Sequence, residues 1–293
     1  MANLKEIRNR ISSVGSTMQI TSAMKMVSAA KLKRAQDAIV QMRPYAVKLK
    51  EILTNLSATL DLSENAFSED REAGKTLIVG ITSNRGLCGG FNNNIVKSIK
   101  ETISTEFNNS DDVHVLCLGK KIRDAYKRSE RFYTNEYLTA REDVYADLTF
   151  DNISEVATEL MELYKSGAFN RIYVVYNRFV NAATQKVETE QFLPIQAPES
   201  ETENPATGDY IFEPSKEEII EDLIPKSFKV QLFKAILDSN AAEHGARMTA
   251  MHKATDNASD LQKELKLSYN KARQAAITNE ILEIVGGAEA LNA

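Results

Sequence analysis

Apolar residues near the start of the chain recur at Leu4, Ile7, Ile11, Val14 and Met18. They resume at Met24, Val27, Ile39, Met42, Leu49, Leu53, Leu56 and Leu60. Steps of three and four describe the narrow seam of a coiled coil rather than the broad stripe of a surface helix. The spacing predicts one helix over 2–58, with a bend near Pro44. Ala29, Ala30, Ala35 and Ala38 fill the stretch where larger residues lapse, which lets a second helix approach closely. A similar rhythm returns at the other end, through Phe228, Leu232 and Ile236, then Met248, Met251, Ala254, Ala258, Leu261, Leu265, Tyr269, Ala272 and Ala276. Segment 210–293 therefore reads as a second seam helix, opened by a capping box of Ser215 and Glu218. Two such helices satisfy each other by pairing, and a domain between them makes the pair antiparallel.

The period changes in the middle of the chain. TLIVGIT (76–82), VHVLCLG (113–119), RIYVVYNRF (171–179) and the alternating KVETEQFLPI (186–195) predict strands. Residues 92–107, 120–129 and 151–166 predict helices between them. The expectation is a central Rossmann-like α/β domain over 76–196, with an antiparallel hairpin at one sheet edge. Residues 61–75 read as a linker, and 197–209, acidic and carrying Pro and Gly, as a mobile loop.

Charge adds an asymmetry. The whole chain carries −5, yet residues 1–58 hold ten Lys/Arg against Glu6, Asp37 and Glu51, a net +7. A basic helix on an acidic protein faces something negative. Nucleic acid is disfavoured, because these cations are spread around the helix and the pI is about 5.5. No apolar run is long enough to span a bilayer, so membrane association is expected only through partners. The N-terminus lacks an apolar signal region, and two cysteines, Cys88 and Cys117, form no disulfide framework.

Candidate chemistry is sparse. SNRGLCGGFN (83–92) follows a strand and opens a helix, where phosphate-binding loops sit, but its spacing matches no nucleotide fingerprint. A nucleotide-binding Rossmann-type enzyme is the alternative reading. The favoured one is a tight turn that brings Arg85 to the surface. His114, His244 and His252 lack metal-ligand spacing, and no nucleophile set is present. Neither a catalytic residue, nor a metal, nor a cofactor is expected. The C-terminus instead ends on Ile281, Leu282, Ile284, Val285 and Leu291, an apolar helix tip that needs a sleeve from another protein.

Four ordered blocks resemble the gamma subunit of the rotary proton-translocating ATP synthase: residues 5–32, 83–92, 243–258 and 267–291. The resemblance implies a non-catalytic central-stalk rotor subunit, coupling rotation of a membrane c-ring to conformational change in a ring of alpha and beta subunits. An epsilon-type subunit would join the α/β domain at the foot. The family's contact positions map by motif onto Met24 and Lys25, onto Arg85, and onto Arg273, Gln274, Thr278 and Glu280. Ile281, Leu282, Ile284, Val285 and Leu291 would form the bearing surface. The resemblance also implies a peripheral location on the cytoplasmic face of a bacterial inner membrane. Asn84 departs from the family, which commonly has an acidic residue there, so a charge pair with Arg85 is in doubt.

Overall fold

Two β-branched runs, Thr76–Ile81 (β1) and Val113–Leu118 (β2), lie side by side and parallel within a five-stranded sheet. The computed structural model describes residues 4–57, 67, 71, 74–108, 110–135, 137–138, 148–195 and 216–292. The acidic stretch 197–209 and the Ser215 cap lie outside the described residues. The chain divides into two compact units. One is Met1–Ser28 with Met248–Ala293, and the other is Ala29–Arg247.

The sheet belongs to the second unit. Its order is β3-β2-β1-β4-β5, with β3 at Phe132–Tyr133, β4 at Arg171–Phe179 and β5 at Gln185–Leu193. β4 pairs parallel with β1, and β5 returns antiparallel to β4, as the alternating sequence of that edge requires. The short edge strand β3, parallel to β2, was not legible in the sequence because two residues carry no periodicity.

Strand alternation sorts the core into two layers. Ile78, Val113, Val115, Cys117 and Val175 face one side. There they meet Ile95, Ile99 and Ile103 of α2 (Phe91–Thr105) and Ile122 and Tyr126 of α3 (Lys120–Tyr126). Leu77, Val79, Ile81, Leu116, Leu118 and Tyr176 face the other, against Ile153, Val156, Leu160 and Tyr164 of α4 (Phe150–Lys165). Burial on both faces is why β1 and β2 read as unbroken apolar runs. Thr149 caps α4 by accepting from Asn152 N at 3.4 Å.

Two sequence expectations change here. Phe67, placed in the presumed linker, is buried and meets the Phe228 ring edge-on at 5.5 Å. The C-terminal helix α5 (Lys216–Asn292) runs through Pro225, and Ile224, Phe228, Leu232, Ala235 and Ile236 join the sheet's core. Those residues form a stripe wider than a coiled-coil seam, which is what a sheet face demands.

The N-terminal helix α1 (Leu4–Ser57) also runs through its proline, Pro44. In the first unit it pairs with α5. Arg8 Nη2 donates to Tyr269 Oη at 3.0 Å, Thr255 Oγ1 to Thr21 Oγ1 at 2.8 Å, and Lys25 Nζ to His252 Nδ1 at 3.4 Å. From Arg8 to Lys25 on α1 is 17 residues forward and from Tyr269 to His252 on α5 is 17 backward, so the pair is antiparallel. The seam differs from expectation at four positions: Val27 is 58% exposed and Leu261 45% exposed, and Ala29 and Ala30 also face outward. Ser28, buried, takes the place of Val27, and Gln262 the place of Leu261. Ser28 Oγ donates to Met24 O at 2.7 Å and Thr21 Oγ1 to Met18 O at 3.1 Å, so these seam hydroxyls are satisfied within their own helix. Gln262 lies against Gly15, where a Cβ would stand 2.9 Å from its amide nitrogen.

In the second unit, Asp238 of α5 is buried. Burial raises its carboxyl to about 6, opposed by Lys234, Arg43 and Arg178 and reinforced by Glu188. Its contribution to folding is therefore complete below the ordinary carboxylate range and is lost as pH rises through about 6. Asp238→Asn, which cannot ionise, is expected to gain about 1–3 kcal/mol over the native chain above pH 7 and nothing at pH 4. Urea unfolding at the two pH values reads the difference, and an equal effect at both would refute it.

Candidate partner-contact surface

Register decides what the long helices leave uncovered. Continuing the pairing from Arg8 and Tyr269 by four residues brings Leu4, the first described residue of α1, opposite Arg273. From Gln274 onward, the described part of α1 offers α5 no facing turn. Arg273, Gln274, Thr278 and Glu280 are all exposed, and Thr278 Oγ1 donates to Gln274 O at 3.0 Å.

The apolar residues beyond that point are exposed too. Ile281 is 54% exposed, Leu282 62%, Ile284 72% and Val285 51%. The side chain of Leu291 lies outside the described residues. Arg273, Ile277, Ile281 and Ile284 are spaced four, four and three, so one face of the helix carries them all. The seam toward α1 follows a different line, through Ala272 and Ala276 and on to Glu280 and Glu283. The apolar stripe therefore does not continue the seam. It points about 100° or more around the helix from it, toward a surface that α1 does not cover.

Met24 and Lys25 are half-buried beside the seam, with Lys25 held by His252. Ile20, Met26 and Val27 stand exposed near them, and the sequence reading did not single out Ile20 or Met26 for contact.

Arg85 belongs to the second unit. Its side chain is exposed on the loop between β1 and α2, while the base of that loop is fixed from several directions. Ser83 Oγ donates to Arg85 O at 2.7 Å, and Ser83 N to Asn92 Oδ1 at 3.0 Å. Asn92 Nδ2 donates to Cys88 Sγ at 3.2 Å. Lys120 N donates to Asn84 Oδ1 at 2.9 Å, so Asn84 holds the first turn of α3 to the loop. Gly119, at φ +108°, is needed at the adjoining turn, since a Cβ there would meet Thr82 O at 2.0 Å. Cys88 and Phe91 pack on Ala242 and Ala246 of α5, and burial pushes the Cys88 thiol up.

Beneath the loop lie two charges that the sequence reading did not single out, Glu243 and Arg247. Arg247 Nη2 donates to Glu243 Oε1 at 2.6 Å, and its guanidinium reaches the carbonyls of Gly86 and Arg85. The signal was a Glu and an Arg four apart among the small residues Ala241, Ala242, Gly245 and Ala246. Next to them, burial together with Lys31 and Arg247 lowers His244 to about 4, so its imidazole is neutral near pH 7. Among the described residues, no group of His, Cys, Asp and Glu has metal-binding geometry, and no helix is long and apolar enough to cross a membrane.

The profile of the family described as ATP synthase matches residues 3–291. The ATP synthase gamma chain of Flavobacterium johnsoniae is 60% identical over 293 residues, covering all of both chains. That of Flavobacterium psychrophilum is 61% identical over 292 residues, covering 99% of each. Among solved structures, a chain of the Euglena gracilis mitochondrial ATP synthase (OSCP/F1/c-ring) aligns with a TM-score of 0.66. It is 22% identical, and the alignment covers 98% of this chain and 94% of that one. A chain of the Tetrahymena thermophila central stalk/c-ring structure aligns with a TM-score of 0.59 at 23% identity, covering 80% and 99%.

Because the tip is uncovered in the chain itself, Ile281→Ser with Ile284→Ser is expected to change chemical unfolding of the purified chain by less than about 0.5 kcal/mol. Leu232→Ala, in the sheet core, is expected to cost about 2–5 kcal/mol in the same assay. A tip effect as large as the core effect would mean that the chain covers its own tip.

Proposed function

The chain belongs to the ATP synthase family as a gamma chain, and from that premise we propose how it works as the central-stalk rotor subunit. Its own residues make and break no bond. Nucleotide chemistry takes place on the beta subunits of an alpha/beta hexamer, and the chain decides which conformation each beta subunit holds. The single observation that carries this reading is the unpaired end of α5. There, an apolar stripe lies beyond the described start of α1 on a face the seam does not use, and Arg273 and Gln274 are exposed where that start is reached.

The physical argument is one of differential contact. A rotor with the same surface on every side would stabilise all three beta subunits equally and shift no equilibrium. A helix end with cations and apolar side chains on one face stabilises one conformation where that face points. In this reading Ile281, Leu282, Ile284, Val285 and Leu291 turn within an apolar sleeve of the hexamer. Arg273, Gln274 and Arg85 form polar or ionic catches against beta-subunit loops, and Met24, Lys25, Thr278 and Glu280 are further contact positions. The net +7 of residues 1–58 complements acidic loops.

The sheet unit forms the foot, with an epsilon-type subunit and the membrane c-ring as partners. The chain itself is peripheral, held at the cytoplasmic face of the bacterial inner membrane through those partners.

Reconstitution of the chain with an alpha–beta hexamer tests the proposal. ATP-driven rotation of a bead on the chain is expected, together with no hydrolysis by the chain alone. Arg273→Ala with Gln274→Ala is expected to lower torque-coupled turnover about tenfold while leaving assembly intact. Unchanged coupling in that double variant would remove the contact assignments. A hexamer that rotates nothing would remove the rotor reading.

A further inference from the structure

A buried ion pair is seldom the most stable choice for a helix position packed against a loop, because apolar residues of equal volume avoid the desolvation cost. Glu243 and Arg247 are such a pair. Their side chains are 11% and 10% exposed, and the guanidinium also donates to two backbone carbonyls of the loop, those of Gly86 and Arg85. The planar fork suits this arrangement, since one side chain grips a carboxylate and two successive carbonyls at once.

Ser83 Oγ also holds Arg85 O and Asn84 Oδ1 accepts from Lys120 N, while the side chains of Arg85 and Leu87 stay exposed. Ser83, Asn92 and Cys88 fix its base, and Cys88 and Phe91 seat it on Ala242 and Ala246. Leu87 is held at φ 65°, a conformation costly for a non-glycine residue, and remains 66% exposed. The carbonyls on either side of the Arg85–Gly86 junction are gripped from below while the Arg85 side chain is presented outward.

We propose that Glu243 and Arg247 act as a clamp that holds the loop at residues 84–87 to α5, with Arg247 the positioning residue for Arg85. The role given to Arg85 rests on the partner-contact reading above, whereas the clamp itself does not. Glu243 orients the guanidinium, Arg247 fixes two carbonyls, and the loop keeps its strained apex without a contact to the apex side chains. A lysine at 247 keeps the charge but loses the fork, so it fails as a clamp.

The test uses the assembled complex carrying Arg247→Lys, Arg85→Ala, or the paired change Glu243→Gln with Arg247→Met. The paired change removes both buried charges at similar volume and is expected to keep the melting temperature. Hydrogen exchange of peptides covering 83–92 is expected to rise about tenfold in Arg247→Lys and in the paired variant, the scale of losing one or two hydrogen bonds. Protons pumped per ATP hydrolysed are expected to fall about fivefold in both, and adding Arg85→Ala is expected to cause little further loss. Unchanged exchange across 83–92 in the paired variant overturns the clamp, as does additivity of the paired change with Arg85→Ala. Full coupling in Arg85→Ala alone would instead sink the contact reading of Arg85, with the exchange measurement still deciding the clamp.

Discussion

A two-helix seam covers only one narrow stripe on each helix, and that constraint governs the first unit. Each turn of α1 offers α5 about one side chain, and the remaining residues on either helix face outward. Such a pair is stable only where small and satisfied residues let the backbones approach, as Gly15, Thr21, Ser28 and Ala258 do. Where the described α1 stops supplying turns, α5 continues alone. The exposure of Ile281, Ile284 and their neighbours is then a consequence of register rather than a defect of packing.

The sheet unit is governed by a different constraint. Parallel strands buried on both faces need a helix layer on each side, and α2 and α3 supply one while α4 and the Ile224–Ile236 stretch of α5 supply the other. The same helix that carries the seam residues thus changes its apolar stripe to suit a sheet. Polar groups in this unit mostly have partners, although among the described residues Tyr126 Oη, Ser154 Oγ and His244 Nδ1 are buried without one. Tyr176 Oη donates to Glu190 at 2.6 Å, Arg178 meets Glu188 at 2.9 Å, and Arg247 meets Glu243 at 2.6 Å. Asp238 is set against Arg43, Lys234 and Arg178, and it still gains less from them than burial costs its charge.

A loop that presents one cation gains nothing from presenting it loosely, because ordering the loop on binding would consume the energy of the contact. The hydrogen bonds around Ser83, Asn92 and Asn84 do that ordering in advance. They also fill the inner side of the loop with protein side chains, where a phosphate-binding loop would turn its amides toward a ligand.

Much of this was legible in one dimension. The spacing of Leu4, Ile7 and Ile11 specified a seam, and the runs at 76–81, 113–118 and 171–179 specified buried strands, because burial on a helix or strand imposes its period on neighbouring residues. The exposed tip and Arg85 were legible for the same reason, as apolar or charged residues at places where the local period had no use for them. What tertiary structure alone decided depends on residues distant in sequence. Thr21 and Ser28 lie in the seam and Val27 outside it, because hydroxyls return their hydrogen bonds to their own helix. Phe67 entered the core from a polar stretch through its ring contact with Phe228 and a hydrogen bond from Ile195 N to its carbonyl. The sequence reading did not single out Glu243 and Arg247, and only the approach of a loop some 160 residues earlier in the chain buried them. Local periodicity is set by secondary structure and survives in the sequence, whereas partner choice for a polar group is set by what the fold brings alongside it.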